Sequence, residues 1–337
     1  MQKQVMQQVI HQKSVIHSRV LKDGQWLCDL PLDQLATYAA DPEARMWVDL
    51  ENVADPQIIE IGSWFGISRL TLEDLVEQNQ RAKMEEGDGY YYLVMHSLEF
   101  DRAADRIATP ELDIVFSERF LLTAHDVPLP CLTDLKNHES SETRPLKRGI
   151  DFLLHAITDA LVDSYFPVLD ELDDVLDELE DTVTSSPTPE VQRRIFTLKR
   201  GLAQMRRVVS PQVELFSRLG GRVYHIVSDE AAAYFRDVHD HLVRIFEVID
   251  SYRDLMSGML DAYLSTVSNR LNEVMKRLTI IATIFMPITF ITGVFGQNFG
   301  FSPQVVRDNG YFFWYMLAFM GFVTILQLLW FRWKRWF

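Results

Sequence analysis

Apolar residues change their spacing along this chain, and each change marks a different kind of structure. Up to about Asp126 they come in short β-branched and aromatic runs: MWVDL (46–50), YYYLVMHSLEF (90–100) and LDIVFSERFLLTAHD (112–126). Such runs, broken by the turn residues GDG (87–89), read as strands. LPLDQLATYA (30–39) and PQIIEIGSWFG (56–66) instead carry helical spacing. The region is an α/β domain whose strand order the pattern does not give. RPLKRG (144–149) interrupts it, and from Ile150 the spacing is helical almost throughout. One helix is predicted to about Thr184, a turn at SSPTP (185–189) and a second helix from near Glu190.

A third helix starts near Asp229. Ile245, Ile249, Tyr252, Met256, Met259, Tyr263, Val267, Leu271, Val274 and Leu278 recur every three or four residues, and no stop precedes Gly296. From Asp229 to Gly296 this predicts a rod of about 100 Å at 1.5 Å per residue. Such a rod cannot cover its own apolar stripe. It requires other helices, most economically copies of itself in a cyclic homo-oligomer.

The rod ends in a charge-free stretch, LTIIATIFMPITFITGVFG (278–296), and a second follows, YFFWYMLAFMGFVTILQLLWF (311–331). Both match the roughly 20 apolar residues that cross a bilayer. Lys276 and Arg277 precede the first span, Arg332, Lys334 and Arg335 follow the second, and the loop between holds Arg307 beside Asp308. The positive-inside rule therefore puts both termini in the cytoplasm. Tyr311, Trp314 and Tyr315 at one end of the second span, and Trp330, Trp333 and Trp336 at the other, fit interfacial belts.

The expected organisation is an α+β membrane protein. A cytoplasmic α/β domain covers 1–149 and a cytoplasmic helical domain with the stalk covers 150–277. Spans lie at 278–296 and 311–331 around an extracytoplasmic loop at 297–310, and a basic tail occupies 332–337.

Charge sharpens this picture. The 337 residues carry 33 basic and 48 acidic side chains, a formal net charge of −15, which argues against a nucleic-acid partner and suits one that attracts cations. Cys28 and Cys131 are the only cysteines, so a disulfide framework is not expected. The start, MQKQVMQQVIHQK, lacks the apolar core of a signal peptide, which predicts that the first domain stays on the cytoplasmic side. No Gly-rich phosphate loop, nucleophile elbow or paired metal motif is present, so neither a pump driven by ATP nor an enzyme is expected.

The first span has an uneven circumference. At heptad steps Asn272, Thr279, Met286 and Gly293 form one line, and Met275, Ala282, Thr289 and Gly296 form its companion, whereas Ile280, Ile284, Ile288 and Ile291 lie on other faces. A small, mildly polar seam serves either close helix packing or a pore lining. Asn272 at one end and Asn298 beyond the other favour the pore, since a dry seam has no use for carboxamides. Mg²⁺ gives up its waters reluctantly, so a ring of Asn298 carbonyls would bind its hydration shell, and Gly296 would permit the sharp exit from the helix. Neither span contains Cys, His, Asp or Glu, which argues against a dehydrated metal site within them.

YFRDVHDH (234–241), the run from Ser251 to Gly296 and the loop after it resemble the CorA-type two-transmembrane GxN divalent-cation channels, a likeness that covers the chain from about Trp47 onward. The resemblance implies a homopentameric funnel in membrane lipid, with pore-lining Asn272, Leu278, Met286, Thr289 and Gly293 and a filter at Gly296, Gln297 and Asn298. Leu278 and Met286 would form apolar constrictions. It also implies a regulatory metal between subunits at Asp74 in LTLEDLVEQ and Asp237 in YFRDVHDH. The family's usual signature is Gly-Met-Asn, and Gln297 replaces its Met, a position that zinc transporters of the ZntB type also vary.

Three functions follow as expectations. The first is passive Mg²⁺ transport, with Co²⁺ and Ni²⁺ as surrogates, gated by cytoplasmic divalent ions. The others are Zn²⁺ transport and a non-conducting scaffold or sensor. Two further features have plainer readings. The acids of LDELDDVLDELEDT (169–182) form a solvated helix face, and Asp237 with His241, four apart, would need ligands from elsewhere to hold zinc.

Overall fold

The computed structural model describes residues 14–77, 80–138, 144–296, 311–334 and 336. They divide into two units, Met1–Leu260 and Asp261–Phe337.

The first unit is built on strands β1 (Val15–Lys22), β2 (Gln25–Cys28), β3 (Arg45–Glu51), β4 (Lys83–Glu86), β5 (Tyr91–His96), β6 (Glu99–Asp101), β7 (Arg106–Ala108), β8 (Glu111–Phe116) and β9 (Phe120–His125). Its helices are α1 (Leu32–Ala39), α2 (Asp55–Trp64), α3 (Arg69–Glu77), α4 (Pro130–His138), α5 (Arg144–Arg148), α6 (Ile150–Asp163), α7 (Tyr165–Ser185) and α8 (Pro189–Gly220). Helix α9 (Asp229–Gly296) begins in this unit and ends in the other, which also holds α10 (Phe312–Trp333).

Seven strands form one sheet in the order β2-β1-β3-β9-β8-β5-β4, with β3 and β9 parallel and the other neighbours antiparallel. Every residue of β8 and β9 is buried, so neither strand has a polar face to alternate with. Their sequences read as nearly continuous apolar runs because helices cover both sides of the sheet. On one side Leu35 of α1, Ile58 and Ile61 of α2 and Leu72 and Leu75 of α3 join Val20, Val48, Leu50, Val94 and Leu122 in a single cluster. On the other side α6 packs on β9 and α8 on β4 and β5. Helix α8 also meets the β6–β7 hairpin, and Gly201 allows that approach: a Cβ there would stand 2.8 Å from Ile107 Cδ1.

Three expectations need correction. LDIVFSERFLLTAHD is two strands, reversed where Ser117 Oγ accepts from the Arg119 and Phe120 amides at 3.2 and 3.3 Å. The helix expected from Ile150 to Thr184 runs over Ile150–Ser185 with one interruption in its hydrogen bonding at Ser164, whose φ of −65° and ψ of −12° stay helical, because Pro167 has no N–H for the Asp163 carbonyl. The edge hairpin β1–β2 was not foreseen, although its Asp23-Gly24 turn, with φ of 51° and 73°, is a strong two-residue hairpin signal. Both cysteines are free, Cys28 exposed and Cys131 buried.

A buried charge network pins α4 to the sheet. Asp49 of β3 accepts from Thr123 Oγ1 at 2.5 Å, from His125 Nε2 at 3.2 Å and from Lys136 Nζ at 2.7 Å. His125 Nδ1 lies 2.6 Å from the Val127 carbonyl, so both ring nitrogens face acceptors and the imidazolium satisfies both. Asp49, Glu51 and His125 have the spacing of a metal triad, but the Lys136 ammonium already stands 2.7 Å from Asp49 and 4.0 Å from Glu51. The cation of this site is a lysine.

Candidate ion path and metal cluster

Among the described residues, three helical stretches are long and apolar enough to cross a membrane. In Ile150–Ser185 half of the apolar window is buried inside the protein, whereas in Asp229–Val294 and Trp314–Trp333 only 6% is. The first is therefore largely core, and the other two are the helices over which the spans are expected.

Among the described residues of Asp261–Phe337, the large apolar side chains that are buried are Tyr263, Ile280 and Phe331. The Ile280, Ile284, Ile288, Ile291 faces of α9 are buried or half-buried. The seam is bare. Leu278 is 58% exposed and Met286 71%, and Asn272, Thr279, Ala282, Thr289 and Gly293 are exposed as well. A Cβ on Gly293 would meet nothing within 4 Å. Thr279 donates its hydroxyl hydrogen to the Met275 carbonyl at 2.8 Å, and Thr292 donates to Ile288 at 3.1 Å and Thr289 at 3.0 Å. These hydroxyls bond their own helix and need no neighbour. Gly296 is the last residue of α9, while Gln297 and Asn298 lie outside the described residues. At the ends of α10, Tyr311, Trp314, Tyr315, Trp330 and Trp333 are exposed, as an interfacial belt requires.

In the first unit, Asp74 of α3 accepts from Lys83 Nζ at 2.7 Å, and the same ammonium lies 3.0 Å from Glu85 and 5.2 Å from the Tyr92 ring centre. Burial by itself would lower the pKa of Lys83, but its bonds to Asp74 and Glu85 outweigh that and raise it. Asp237 sits elsewhere, exposed on α9 near His155 and Asp159 of α6. His241 Nδ1 is 3.3 Å from Asp163 Oδ1, and His155 Nε2 is 4.0 Å from Asp159 Oδ1. Ligand atoms of Asp159, Asp163 and His241 all fall within 4.8 Å of one another.

Asp159 and Asp163 give His241 the outside ligands that the sequence did not show, and Asp237 is not among the three residues of the grouping. A DxxxH pair on one helix faces a DxxxD pair on another some 80 positions upstream, and only the α6–α9 packing joins them. Burial raises the pKa of Asp159, with lesser effects from His155, Asp163, His241 and Asp237, and burial lowers that of His155. Two carboxylates and an imidazole at this spacing suit a borderline-soft divalent ion. The acidic stretch 169–182 behaves as expected: Leu169, Leu172, Val175, Leu176 and Leu179 are buried and nearly all its acids face solvent, with Glu178 paired to Arg102.

The profile of the family described as "CorA-like Mg2+ transporter protein" matches residues 43–335. The cobalt/magnesium transport protein CorA of Thermotoga maritima is 35% identical over 299 residues, which cover 88% of this chain and 84% of that protein. The complete structure of the CorA magnesium transporter from Methanocaldococcus jannaschii superposes with a TM-score of 0.81 at 24% identity, covering 94% of this chain and 97% of that one. The cytoplasmic domain of ZntB from Vibrio parahaemolyticus shares the fold, with a TM-score of 0.60 at 14% identity over 76% of this chain and 98% of that domain.

Proposed function

This chain belongs to the CorA-like Mg²⁺ transporter family, and from that premise we propose that it forms a passive Mg²⁺ channel, open also to Co²⁺ and Ni²⁺, in the cytoplasmic membrane. The observation that supports it most is the seam of α9, charge-free yet carrying Thr, Asn and Gly, whose residues are exposed among the described residues of one subunit. Two spans cannot enclose a path. A ring of copies, five by the family resemblance, would turn the Leu278 and Met286 side chains inward as constrictions, with Asn272 at the cytoplasmic end and Asn298 at the outer mouth. Both termini would then lie in the cytoplasm.

The His241, Asp163 and Asp159 grouping supports a second reading, Zn²⁺ as the ion sensed or carried, because imidazole favours zinc over magnesium. Uptake of Mg²⁺, Co²⁺, Ni²⁺ and Zn²⁺ by liposomes holding the purified protein separates the readings. Mg²⁺ flux supports the first and Zn²⁺ flux alone the second, while no flux for any ion leaves a scaffold or sensor. Gln297→Met restores the usual signature, and it is expected to sharpen the preference for Mg²⁺ over Zn²⁺. An unchanged ion profile would make Gln297 incidental.

Closure by cytoplasmic Mg²⁺ would act through Asp74 of one subunit and Asp237 of the next. Two facing carboxylates repel when empty, and a divalent ion bridges them, so bound metal favours the closed ring. The metal must draw Asp74 away from Lys83, which weakens binding toward the concentrations at which free Mg²⁺ varies. The double variant Asp74→Asn, Asp237→Asn is expected to keep conducting at internal Mg²⁺ that shuts the wild type. If protection from protease and inhibition of flux by Mg²⁺ both survive, the sensor lies elsewhere, and Asp159, Asp163 and His241 are the next residues to substitute.

A further inference from the structure

Pro287 stands inside α9, next to Met286. Because proline has no N–H, the carbonyl four residues back, that of Thr283, loses its helical partner. Inside a bilayer no water replaces it, so a neighbouring group must. The structure supplies one from the other span. Gln327 Nε2 donates to the Thr283 carbonyl at 3.0 Å.

Gln327 is the only carboxamide in 312–331, a stretch with no charged residue. Its polar neighbour Thr324 bonds its own helix, donating to the Met320 carbonyl at 2.9 Å. The Gln327 side chain thus bears the cost of a polar group in lipid for one evident return, the carbonyl left open by Pro287. A groove of about 480 Å³ runs along the same place, from Leu278 past Ala282 to Met286 and Pro287, with Gln327 on its wall. The Gln327 Oε1 atom is buried there and has no hydrogen-bond partner among the described residues. It is the bond through Nε2 that holds this side chain.

We infer that Gln327 is a positioning residue for the pore helix: by holding the open Thr283 carbonyl it fixes the course of α9 at Pro287 and so the place of Met286. For its effect on ion flow this rests on the channel reading; the latch itself does not. A helix missing one backbone bond is locally compliant, and kinks arise where the i to i−4 ladder is interrupted. The bond from α10 removes that compliance at the residue beside a constriction.

The test is a double-mutant cycle in the full-length protein. Gln327→Met keeps the length and shape of the side chain and deletes the donor. Pro287→Ala gives residue 287 an N–H, so the Thr283 carbonyl regains its helical bond and no longer needs Gln327. In liposomes, Gln327→Met is expected to raise the flux that leaks through at saturating internal Mg²⁺ by about threefold to tenfold, the worth of one interhelical hydrogen bond in a membrane. On the Pro287→Ala background the same substitution is expected to change little. Equal changes on both backgrounds, or none on either, would overturn the inference, since any general packing role of Gln327 is indifferent to residue 287.

Thermal unfolding of the oligomer in detergent reads the same non-additivity without ion flow. Should the wild type pass no ion, the channel reading fails and the unfolding midpoints decide the latch. If Pro287→Ala does not assemble, carbonyl-¹³C threonine reports directly: loss of the bond in Gln327→Met shifts one labelled amide I band upward, and identical spectra would refute the bond.

Discussion

Asn298→Ala is expected to bring Mg²⁺ uptake into liposomes down to that of empty vesicles while the oligomer elutes unchanged. Mg²⁺ gives up its waters reluctantly, so a mouth on its path would have to offer oxygen acceptors at the distance of a hydration shell rather than of the bare ion. A ring of carboxamides does this without the charge that would hold a divalent ion too long to release it. Alanine leaves the same opening with no acceptor, and the hydrated ion loses the group that draws it from bulk water. Full uptake by the variant would remove Asn298 from the ion path and leave the seam of α9 as a packing surface.

Lys136→Met is expected to cost the protein about 3–5 kcal/mol, read as a fall in the unfolding midpoint, because it strands a buried carboxylate. Asp49 is 1% exposed and its remaining partners, Thr123 and His125, do not replace the deleted ammonium. Replacing both ends, Asp49→Leu with Lys136→Met, should recover much of that loss, since a buried pair exchanged for apolar groups of similar size is often neutral. A single variant as stable as the wild type would mean that water reaches Asp49.

The same network predicts a pH profile. Burial would raise the Asp49 pKa, but His125 and Lys136 hold it well below the usual carboxylate range. Its stabilisation is present above the ordinary carboxylate pKa and is lost as pH falls through that lowered value. Burial would lower the His125 pKa, but the bond and charge of Asp49 outweigh burial and raise it. Its contribution is complete below about 6.5, the ordinary imidazole value, and fades as pH rises through the raised one. Stability should therefore decline on the alkaline side, and His125→Asn should abolish that slope.

The parts of the fold legible in the sequence were those set by local period. Helix α9 begins at Asp229 and ends at Gly296, as its unbroken stripe and the absence of a stop required. The apolar helix expected over 311–331 forms Phe312–Trp333. What stayed hidden depends on partners distant in the chain. β8 and β9 are buried on both faces, so no alternation marked where one ended and the other began. The parallel pairing of β3 with β9 joins residues more than 70 positions apart, and no local signal encodes it.

The candidate sites divide in the same way. The seam of α9 was readable because one helix carries all of it. Asp159 and Asp163 were not, since they matter only through His241 on another helix. Gln327 was invisible for a related reason: a lone glutamine in an apolar span acquires meaning only from the carbonyl that Pro287 leaves open.

Thr279, one of the two threonines of the seam, carries a last consequence, for the sign of the ion. Thr279 gives its single hydroxyl hydrogen to the Met275 carbonyl, so the side of the oxygen turned away from the helix carries lone pairs alone. Water around a cation points its hydrogens outward and finds acceptors on such a surface. Water around an anion spends one hydrogen on the ion and turns its lone pairs outward, and the threonine oxygen has no hydrogen to give them, so it meets that shell with half as many bonds. A ring of these threonines would discriminate against chloride while bearing no charge, and the rejection would persist at salt concentrations that screen any ring of carboxylates.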